Sequence, residues 1–164
     1  MVKISTDTDR AWAVLEQVSD PEIPVLSVVD LGIIRGIRQV NDQLEVTISP
    51  TYSGCPAMEV IEQEVQWALE QAGFERVEII TAIHPAWTTD WMSEAGKKKL
   101  LEYGISPPEH SSDKSALTGQ PKEVICPQCR SKNTRLQSQF GSTPCKSLWV
   151  CNDCREPFDR FKCI

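Results

Sequence analysis

The pattern of hydrophobic and polar positions predicts a helix, a β-hairpin and a second helix in the first half of the chain. Apolar residues recur at spacings of three over residues 9–18, which predicts an amphipathic helix that the prolines of residues 20–24 end. Apolar residues of a strand pattern run up to Asn41-Asp42, and Leu44, Val46 and Ile48 alternate with polar residues after it, which predicts two strands joined by a turn. A single apolar face over residues 56–72 predicts the longest helix, which a glycine ends.

A third strand and a third helix extend this pattern. Alternating residues predict a strand over 77–81, and residues 89–103 are typical of a helix. The run Lys97-Lys98-Lys99 in this helix is interpreted as a solvated helix face. The order helix, hairpin, helix, strand is typical of a small α+β sandwich, which we expect to occupy residues 1–105.

The composition changes beyond this first domain. Residues 106–121 are rich in Pro, Ser, Gly and charged residues, which indicates a linker. Residues 1–121 contain nine Lys and Arg against nineteen Asp and Glu, whereas residues 122–164 contain eight against four. The net charge of -6 therefore combines an acidic first part with a basic second part, and residues 122–164 are predicted to form a second domain.

Length and composition exclude several classes of protein. A chain of 164 residues has room for one ordinary domain and a small satellite, which excludes a large multidomain enzyme. Hydrophobic residues make up 40% and charged residues 24%, as in globular proteins, and no apolar run approaches the ~20 residues of a membrane-spanning helix. The charged first ten residues lack the apolar stretch of a secretory signal, so we expect a cytoplasmic protein.

Two C-x2-C motifs in the second domain predict a zinc site. Each motif turns two sulfurs toward one point, and twenty-one residues separate the two motifs. Four thiolates form the tetrahedral ligand set that Zn²⁺ accepts in structural sites. Strands around Gly141-Ser142 would complete a zinc ribbon, and a domain of about forty residues needs the metal in order to fold. The predicted ligands are Cys126, Cys129, Cys151 and Cys154.

The same motifs leave other interpretations open. Iron in the four-sulfur site would make the segment a rubredoxin-like electron carrier, but rubredoxins usually place glycine after the second cysteine, where Arg130 and Arg155 stand here. Cys145 and Cys163 are surplus thiols, interpreted as small buried or terminal residues that could still replace a ligand. A nucleic-acid-binding ribbon is disfavoured because four thiolates and one Zn²⁺ lower the net charge of residues 122–164 to +2.

One further cysteine lies at the start of the longest predicted helix. Cys55 stands between Gly54 and Pro56, where unpaired N–H groups and the helix dipole favour a thiolate, although a capping or buried cysteine is the simpler interpretation of position alone. Asp20, Glu22 and Asp30 lie around the proline loop and are interpreted either as an acidic site or as caps of turns. His84 is interpreted as a loop residue, although it could orient a thiol or bind a metal.

These motifs resemble a known family. The first domain resembles the domain shared by bacterial SufT-type proteins and eukaryotic cytosolic iron–sulfur targeting factors. With the ribbon, the whole chain resembles the PaaD family of accessory proteins of bacterial phenylacetyl-CoA ring epoxidase. The residues that carry the resemblance are Asp20-Pro21-Glu22-Ile23-Pro24, Val29-Asp30-Leu31-Gly32-Ile33-Ile34, Gly54-Cys55-Pro56 and the ribbon's end at 156–163.

The resemblance implies a non-catalytic accessory protein that assists iron–sulfur or metal-centre assembly in phenylacetate degradation. It implies that Cys55 is a functional thiol that transiently binds iron or a cluster, with Asp20 and Glu22 in the family's acidic loop. It also implies oxygenase or reductase subunits as partners, and the sequence leaves a homodimer open. The chain departs from many relatives at Tyr52 and Ser53, where those relatives have a threonine and a proline before the cysteine turn.

Overall fold

The chain folds as two compact units. The computed structural model describes residues 6–108 and 123–162, so that the predicted linker lies largely outside the described residues and Cys163 lies entirely outside them. The first unit comprises the residues up to Trp87 together with Trp91–Ser93, and the second comprises Thr88–Asp90 and the residues from Glu94 onward. None of the described helices is long and apolar enough to cross a membrane.

The first unit is an α+β structure built on a three-stranded sheet. Its elements in chain order are α1 (Asp7–Leu15), β1 (Ile34–Val40), β2 (Gln43–Ile48), α2 (Ala57–Gln71) and β3 (Val77–Thr81). β1 and β2 form the predicted antiparallel hairpin, and β3 lies parallel to β2. A parallel neighbour requires a crossover, which α2 supplies. The predicted fold class, the hairpin and the helix over 56–72 are confirmed.

Helix α1 begins and ends earlier than its apolar pattern predicts. Thr6 caps it by accepting a hydrogen bond from the Asp9 N–H at 3.2 Å, while the Thr6 N–H donates to the Asp9 carboxylate at 3.2 Å. This capping box fixes the first turn. The helix stops at Leu15, and Val18, which we expected inside it, instead accepts a hydrogen bond from the Val28 N–H at 2.9 Å.

The core of the first unit follows from two periodicities. Every second residue of β2 is buried, and α2 buries residues four apart. These spacings place one face of the strand and one face of the helix toward the interior. The residues concerned are Leu44, Val46 and Ile48 in β2 and Ile61, Val65 and Leu69 in α2, each at most 1% exposed.

The second unit contains a helix and a four-stranded sheet. Its elements are α3 (Glu94–Tyr103), β4 (Ile105–Ser106), β5 (Thr134–Ser138), β6 (Lys146–Cys151) and β7 (Pro157–Phe161), and the strand order is β4-β7-β6-β5. β4 runs parallel to β7, and the other neighbours are antiparallel. A 3-10 helix at Thr89–Trp91 precedes α3, so the predicted helix over 89–103 is divided in two.

The division between the units therefore differs from the predicted boundary at residue 105. Leu100 and Ile105 are buried, and Ile105 pairs with Asp159 of β7. A two-residue strand is too short to show alternation in the sequence, and its Ser106 coincides with the polar composition that we assigned to a linker. The pairing places β4 in the sheet of the C-terminal unit, to which α3 also belongs.

A close contact explains why residues 30–32 have the sequence Asp-Leu-Gly. Ser93 donates from its N–H to the Asp30 carbonyl at 2.9 Å and from its hydroxyl to the Asp30 carboxylate at 2.8 Å. The Trp87 indole N–H donates to the Leu31 carbonyl at 2.9 Å. Gly32 has φ +68°, and a Cβ there would lie 2.3 Å from the Trp91 carbonyl oxygen. Asp30 is therefore a structural anchor within the first unit.

Substitution of Gly32 by alanine tests this contact. We expect Gly32→Ala to lower the free energy of unfolding by about 2–4 kcal/mol, because the new Cβ meets a backbone carbonyl and the residue must keep a left-handed conformation. Gly36→Ala is the matched control, since a Cβ at Gly36 has no neighbour within 4 Å. Urea unfolding followed by tryptophan fluorescence measures both variants, and equal midpoints for the two would contradict the assignment.

Candidate functional site

The four predicted cysteine ligands converge in the second unit. Their sulfur atoms all lie within 4.8 Å of one another. The Cys126 and Cys154 sulfurs are 3.7 Å apart, and the Cys129 and Cys151 sulfurs are 3.6 Å apart. With a Zn–S bond of ~2.3 Å, a tetrahedron has edges of about 3.8 Å. The spacing and the chemistry of the donors therefore fit a tetrahedral metal ion.

Two tight turns and a small core hold the cysteines in place. The Cys126 carbonyl accepts a hydrogen bond from the Arg130 N–H at 2.9 Å and the Cys126 N–H donates to the Ser131 carbonyl at 2.9 Å, while the Cys151 N–H donates to the Glu156 carbonyl at 3.0 Å. Cys126 and Cys151 are buried, and Cys129 and Cys154 are exposed. The two buried cysteines pack with Val124, Trp149 and Phe158. One sulfur of each turn thus lies in the core and the other faces solvent.

A polar network that the sequence pattern did not reveal links the two turns. Asp153 accepts hydrogen bonds from the Ser131 hydroxyl and, at 2.8 Å, from the Asn133 side-chain amide. These two donors lower the pKa of Asp153. The Asn152 N–H also donates to the Asn133 carbonyl at 2.8 Å. In the sequence, the signal for this network was the set of polar residues within and just after the C-x2-C motifs. Their hydrogen bonds fix the distance between the two pairs of sulfurs.

Two thiols of the cluster, Cys151 and Cys154, differ in acidity. The N–H of Cys154 is the largest of the causes that lower the pKa of Cys151 to about 7. The N–H of Glu156 lowers the pKa of Cys154, but desolvation of its sulfur within the cluster and the three neighbouring thiols outweigh it and raise that pKa to about 12. Once one sulfur ionises, the next resists ionisation because like charges repel. A divalent cation removes this resistance, so metal binding and deprotonation of all four thiols are coupled.

The residue after each C-x2-C motif has a left-handed backbone. Arg130 has φ 64° and Arg155 has φ 66°. This conformation turns the N–H group of the following residue back toward the cysteine. The backbone N–H of Ser131 therefore donates to the Cys129 sulfur, and the backbone N–H of Glu156 donates to the Cys154 sulfur. Glycine suits such a position best, and the arginines adopt it nonetheless. The missing glycines therefore do not distinguish zinc from iron in this site, contrary to what we expected from the motifs.

The Cys55 turn lies where β2 leads into α2. The Ser49 N–H donates to the Ile33 carbonyl at 2.9 Å, and the Ser49 hydroxyl donates to the Ala82 carbonyl at 2.9 Å, which secures the end of β2. Gly54 has φ 77°, and no side chain caps the first turn of α2. Cys55 is half-buried. The structure thus gives solvent partial access to a thiol directly before the helix.

The acidic loop is closed by its own carboxylate. Asp20 is buried, and its Oδ1 accepts hydrogen bonds from the N–H groups of Glu22 at 2.9 Å and Ile23 at 2.6 Å. Glu22 is half-buried and His84 is exposed. Within residues 6–108 and 123–162, only the four cysteines of the second unit form a converging group of three or more metal-ligating side chains. Asp20, Glu22 and Cys55 belong to no such group, and a joint role for them stays a prediction.

Comparison with known proteins relates both units to described families. The iron–sulfur cluster assembly protein family matches residues 8–80, and the PaaD zinc beta ribbon domain family matches residues 110–162. The chain is 49% identical over 153 residues to a protein of Escherichia coli (strain K12) named as a candidate subunit of 1,2-phenylacetyl-CoA epoxidase. That match covers 93% of this chain and 91% of the relative.

Relatives of the first unit alone carry a different name. An Fe-S protein maturation auxiliary factor of Porphyromonas gingivalis is 38% identical over 93 residues, which cover 56% of this chain and 85% of that protein. A factor of the same description from Bacillus subtilis (strain 168) is 36% identical over 94 residues, covering 56% of this chain and 91% of the relative.

Solved structures share the fold of the first unit. A domain of unknown function from Bacillus anthracis has a TM-score of 0.53 and 27% identity, covering 57% of this chain and 91% of that one. A conserved hypothetical protein from Thermotoga maritima has a TM-score of 0.50 and 27% identity, covering 61% and 98%. These likenesses agree with the α+β fold expected for residues 1–105.

Loss of one sulfur ligand tests the metal site. We expect Cys126→Ser to release about one metal ion per chain and to remove the hydrogen-exchange protection of β4–β7, because few apolar residues stand behind the cysteines. The strands β1–β3 should keep their protection, since they have their own core. Cys145→Ser is the matched control, because Cys145 is also buried but lies outside the cluster. Metal retained by Cys126→Ser, or lost from Cys145→Ser, in elemental analysis would contradict the site.

Glycine at the left-handed position tests the turn geometry. We expect Arg155→Gly to raise the free energy of unfolding of the metal-loaded protein by about 0.5–1 kcal/mol, because glycine adopts positive φ without strain. Arg135→Gly, in the exposed strand β5, should instead lower it by about the same amount. Thermal unfolding of the two variants compares the signs, and destabilisation by Arg155→Gly would show that the side chain outweighs the strain.

Proposed function

The chain belongs to the same family as the Escherichia coli candidate subunit of 1,2-phenylacetyl-CoA epoxidase, and on that premise we propose that it is a non-catalytic accessory factor of the epoxidase that assists assembly of an iron–sulfur or other metal centre. The observation that carries the proposal is the double likeness of the chain. Nearly its whole length matches the epoxidase protein, and its first unit matches proteins named as iron–sulfur maturation factors. The partners are then oxygenase or reductase subunits in the cytoplasm.

Cys55 is the working thiol in this proposal. Its thiolate would bind iron or a cluster transiently, as cargo passed to a partner subunit. A Cβ at Gly54 would have no neighbour within 4 Å, so the turn leaves open space next to the sulfur's backbone. The N–H groups of the uncapped first turn of α2 favour negative charge there. Asp20 shapes the acidic loop, and Glu22 is the carboxylate of that loop that we assign to partner contact.

The ribbon has a structural and docking role in this proposal. Zn²⁺ held by Cys126, Cys129, Cys151 and Cys154 would supply the free energy that orders the second unit. We propose that the first unit acts in assembly and that residues 122–164 dock, with α3 and β4 of the second unit supporting the ribbon sheet.

Metal analysis separates this proposal from an electron carrier. Zinc in the four-sulfur site leaves the protein colourless, whereas ferric iron held by four thiolates makes it red. A nucleic-acid-binding ribbon would instead reveal itself by a salt-dependent gel shift. Purified protein with one zinc and no absorption in the visible range supports the accessory role.

Removal of the Cys55 sulfur tests the assembly role. We expect Cys55→Ala to leave the circular dichroism spectrum and zinc content unchanged, because the side chain is only half-buried. When the variant is co-expressed with the epoxidase subunits, their iron or cluster content should fall by about half or more, because the cargo ligand is missing. Iron and sulfide analysis of the purified subunits measures this loss.

The matched control is Ser53→Ala, an exposed position in the same turn. This variant should support full cofactor loading. If Cys55→Ala also supports full loading and growth on phenylacetate, the thiol is structural and the assembly role of Cys55 is wrong.

A further inference from the structure

The outer face of α2 carries two large apolar side chains that the fold does not cover. Trp67 is 60% exposed and Val60 is 44% exposed. The two are seven residues apart, which places them two turns apart on the same face of a helix. The opposite face of α2 already fills the core through Ile61, Val65 and Leu69. Burying this exposed tryptophan requires another surface.

Acidic side chains border this apolar pair. Glu59, Glu64 and Glu70 are exposed, and α2 contains no Lys or Arg. In the part of the chain that the structure describes, no cation forms an ion pair with these three glutamates. Gln66 donates a hydrogen bond to Glu70 at 2.9 Å, which keeps that carboxylate on the same stretch of surface. We call these five residues, Val60, Trp67, Glu59, Glu64 and Glu70, the α2 ridge.

We propose that the α2 ridge docks a protein surface that combines an apolar hollow with Lys or Arg side chains. Tryptophan is the residue most enriched among the side chains that dominate binding energy at interfaces, and it acts when it inserts into an apolar pocket. The acidic border requires positive charge around that pocket, because electrostatic complementarity selects the partner. A second copy of the ridge is excluded, since it would bring six glutamates together.

The ridge also explains how a partner would meet Cys55. This step rests on the proposed function and identifies the partner as the subunit that receives the metal centre. With a rise of 1.5 Å per residue, Val60 lies about 8 Å and Trp67 about 18 Å along the helix from the position of Cys55. A subunit bound along α2 would therefore have its edge beside the turn that carries the thiol.

The ridge is tested with two synthetic amphipathic helical peptides. Both have the same leucine face, and one has lysines and the other glutamates on its flanks. In an amide NMR titration of the zinc-loaded full chain, we expect the lysine peptide to shift residues 59–71. Trp67→Ala should weaken its binding about tenfold, and Glu59→Gln with Glu64→Gln should weaken it about fivefold. The glutamate peptide should bind at least about tenfold more weakly.

Tyr103→Ala is the matched control. Tyr103 is 57% exposed on α3, so its removal deletes an equally exposed aromatic side chain from a different helix, and binding should be unchanged. The proposal is overturned if the lysine peptide shifts another surface or none, if both peptides bind equally, or if Trp67→Ala and Tyr103→Ala have the same effect.

A second measurement separates the ridge from the proposed function. Purified oxygenase and reductase subunits are passed over immobilised wild-type chain and over immobilised Trp67→Ala. A subunit that wild type retains and Trp67→Ala loses supports the ridge as its contact, and equal retention overturns that contact. If wild type retains no subunit although the lysine peptide binds the ridge, the ridge stands and the choice of partner in the proposed function is wrong.

Discussion

The convergence of four sulfurs is the constraint on which the second unit depends. Among the residues that the structure describes, the hydrophobic cluster behind the cysteines adds Val124, Trp149 and Phe158, which is small for an independent core. A metal ion bound by the four thiolates would therefore supply order that packing alone does not. Other features of the ribbon also position the sulfurs. The left-handed backbone of Arg130 and Arg155 directs the following N–H groups toward sulfur, and Asp153 holds the two turns at a fixed separation.

The sequence predicts the features whose signal is local and periodic. Helix α2, the hairpin and the four cysteine ligands follow from spacing alone, because the hydrophobic period, the turn residues and the ligand types can each be recognised within a short stretch of sequence. The pairing of β4 with β7 could not be predicted, since it joins Ile105 to Asp159 across more than fifty residues and uses only two residues of the first strand. The hydrogen bond between Asp30 and Ser93 could not be predicted for the same reason, since it joins residues far apart in the sequence.

Asp20 was correctly considered as a turn former. An aspartate carboxylate in such a turn accepts hydrogen bonds from the N–H groups two and three residues further along the chain.

The two candidate thiol sites differ in a way that matches different tasks. Backbone and side-chain hydrogen bonds connect the two turns of the cysteine cluster, which suits a permanently bound metal ion. Cys55 belongs to no group of three or more metal-ligating side chains among the described residues, and it is half-buried in a turn directly after Gly54. One sulfur cannot retain an ion against a partner that offers several ligands. That weakness is the property expected of a thiol that transfers its cargo.

Helix α2 then links packing to function. Its inner face is fixed by the sheet through residues four apart, so its start and its outer face have fixed positions relative to each other. A flexible loop bearing both a thiol and a docking tryptophan would lose this relation, because every contact would first have to order the loop. A helix of fifteen residues instead presents the thiol at one end and the acidic, tryptophan-bearing face along its length. The exposed Trp67 lies on the face along which a bound partner would also reach the turn of Cys55.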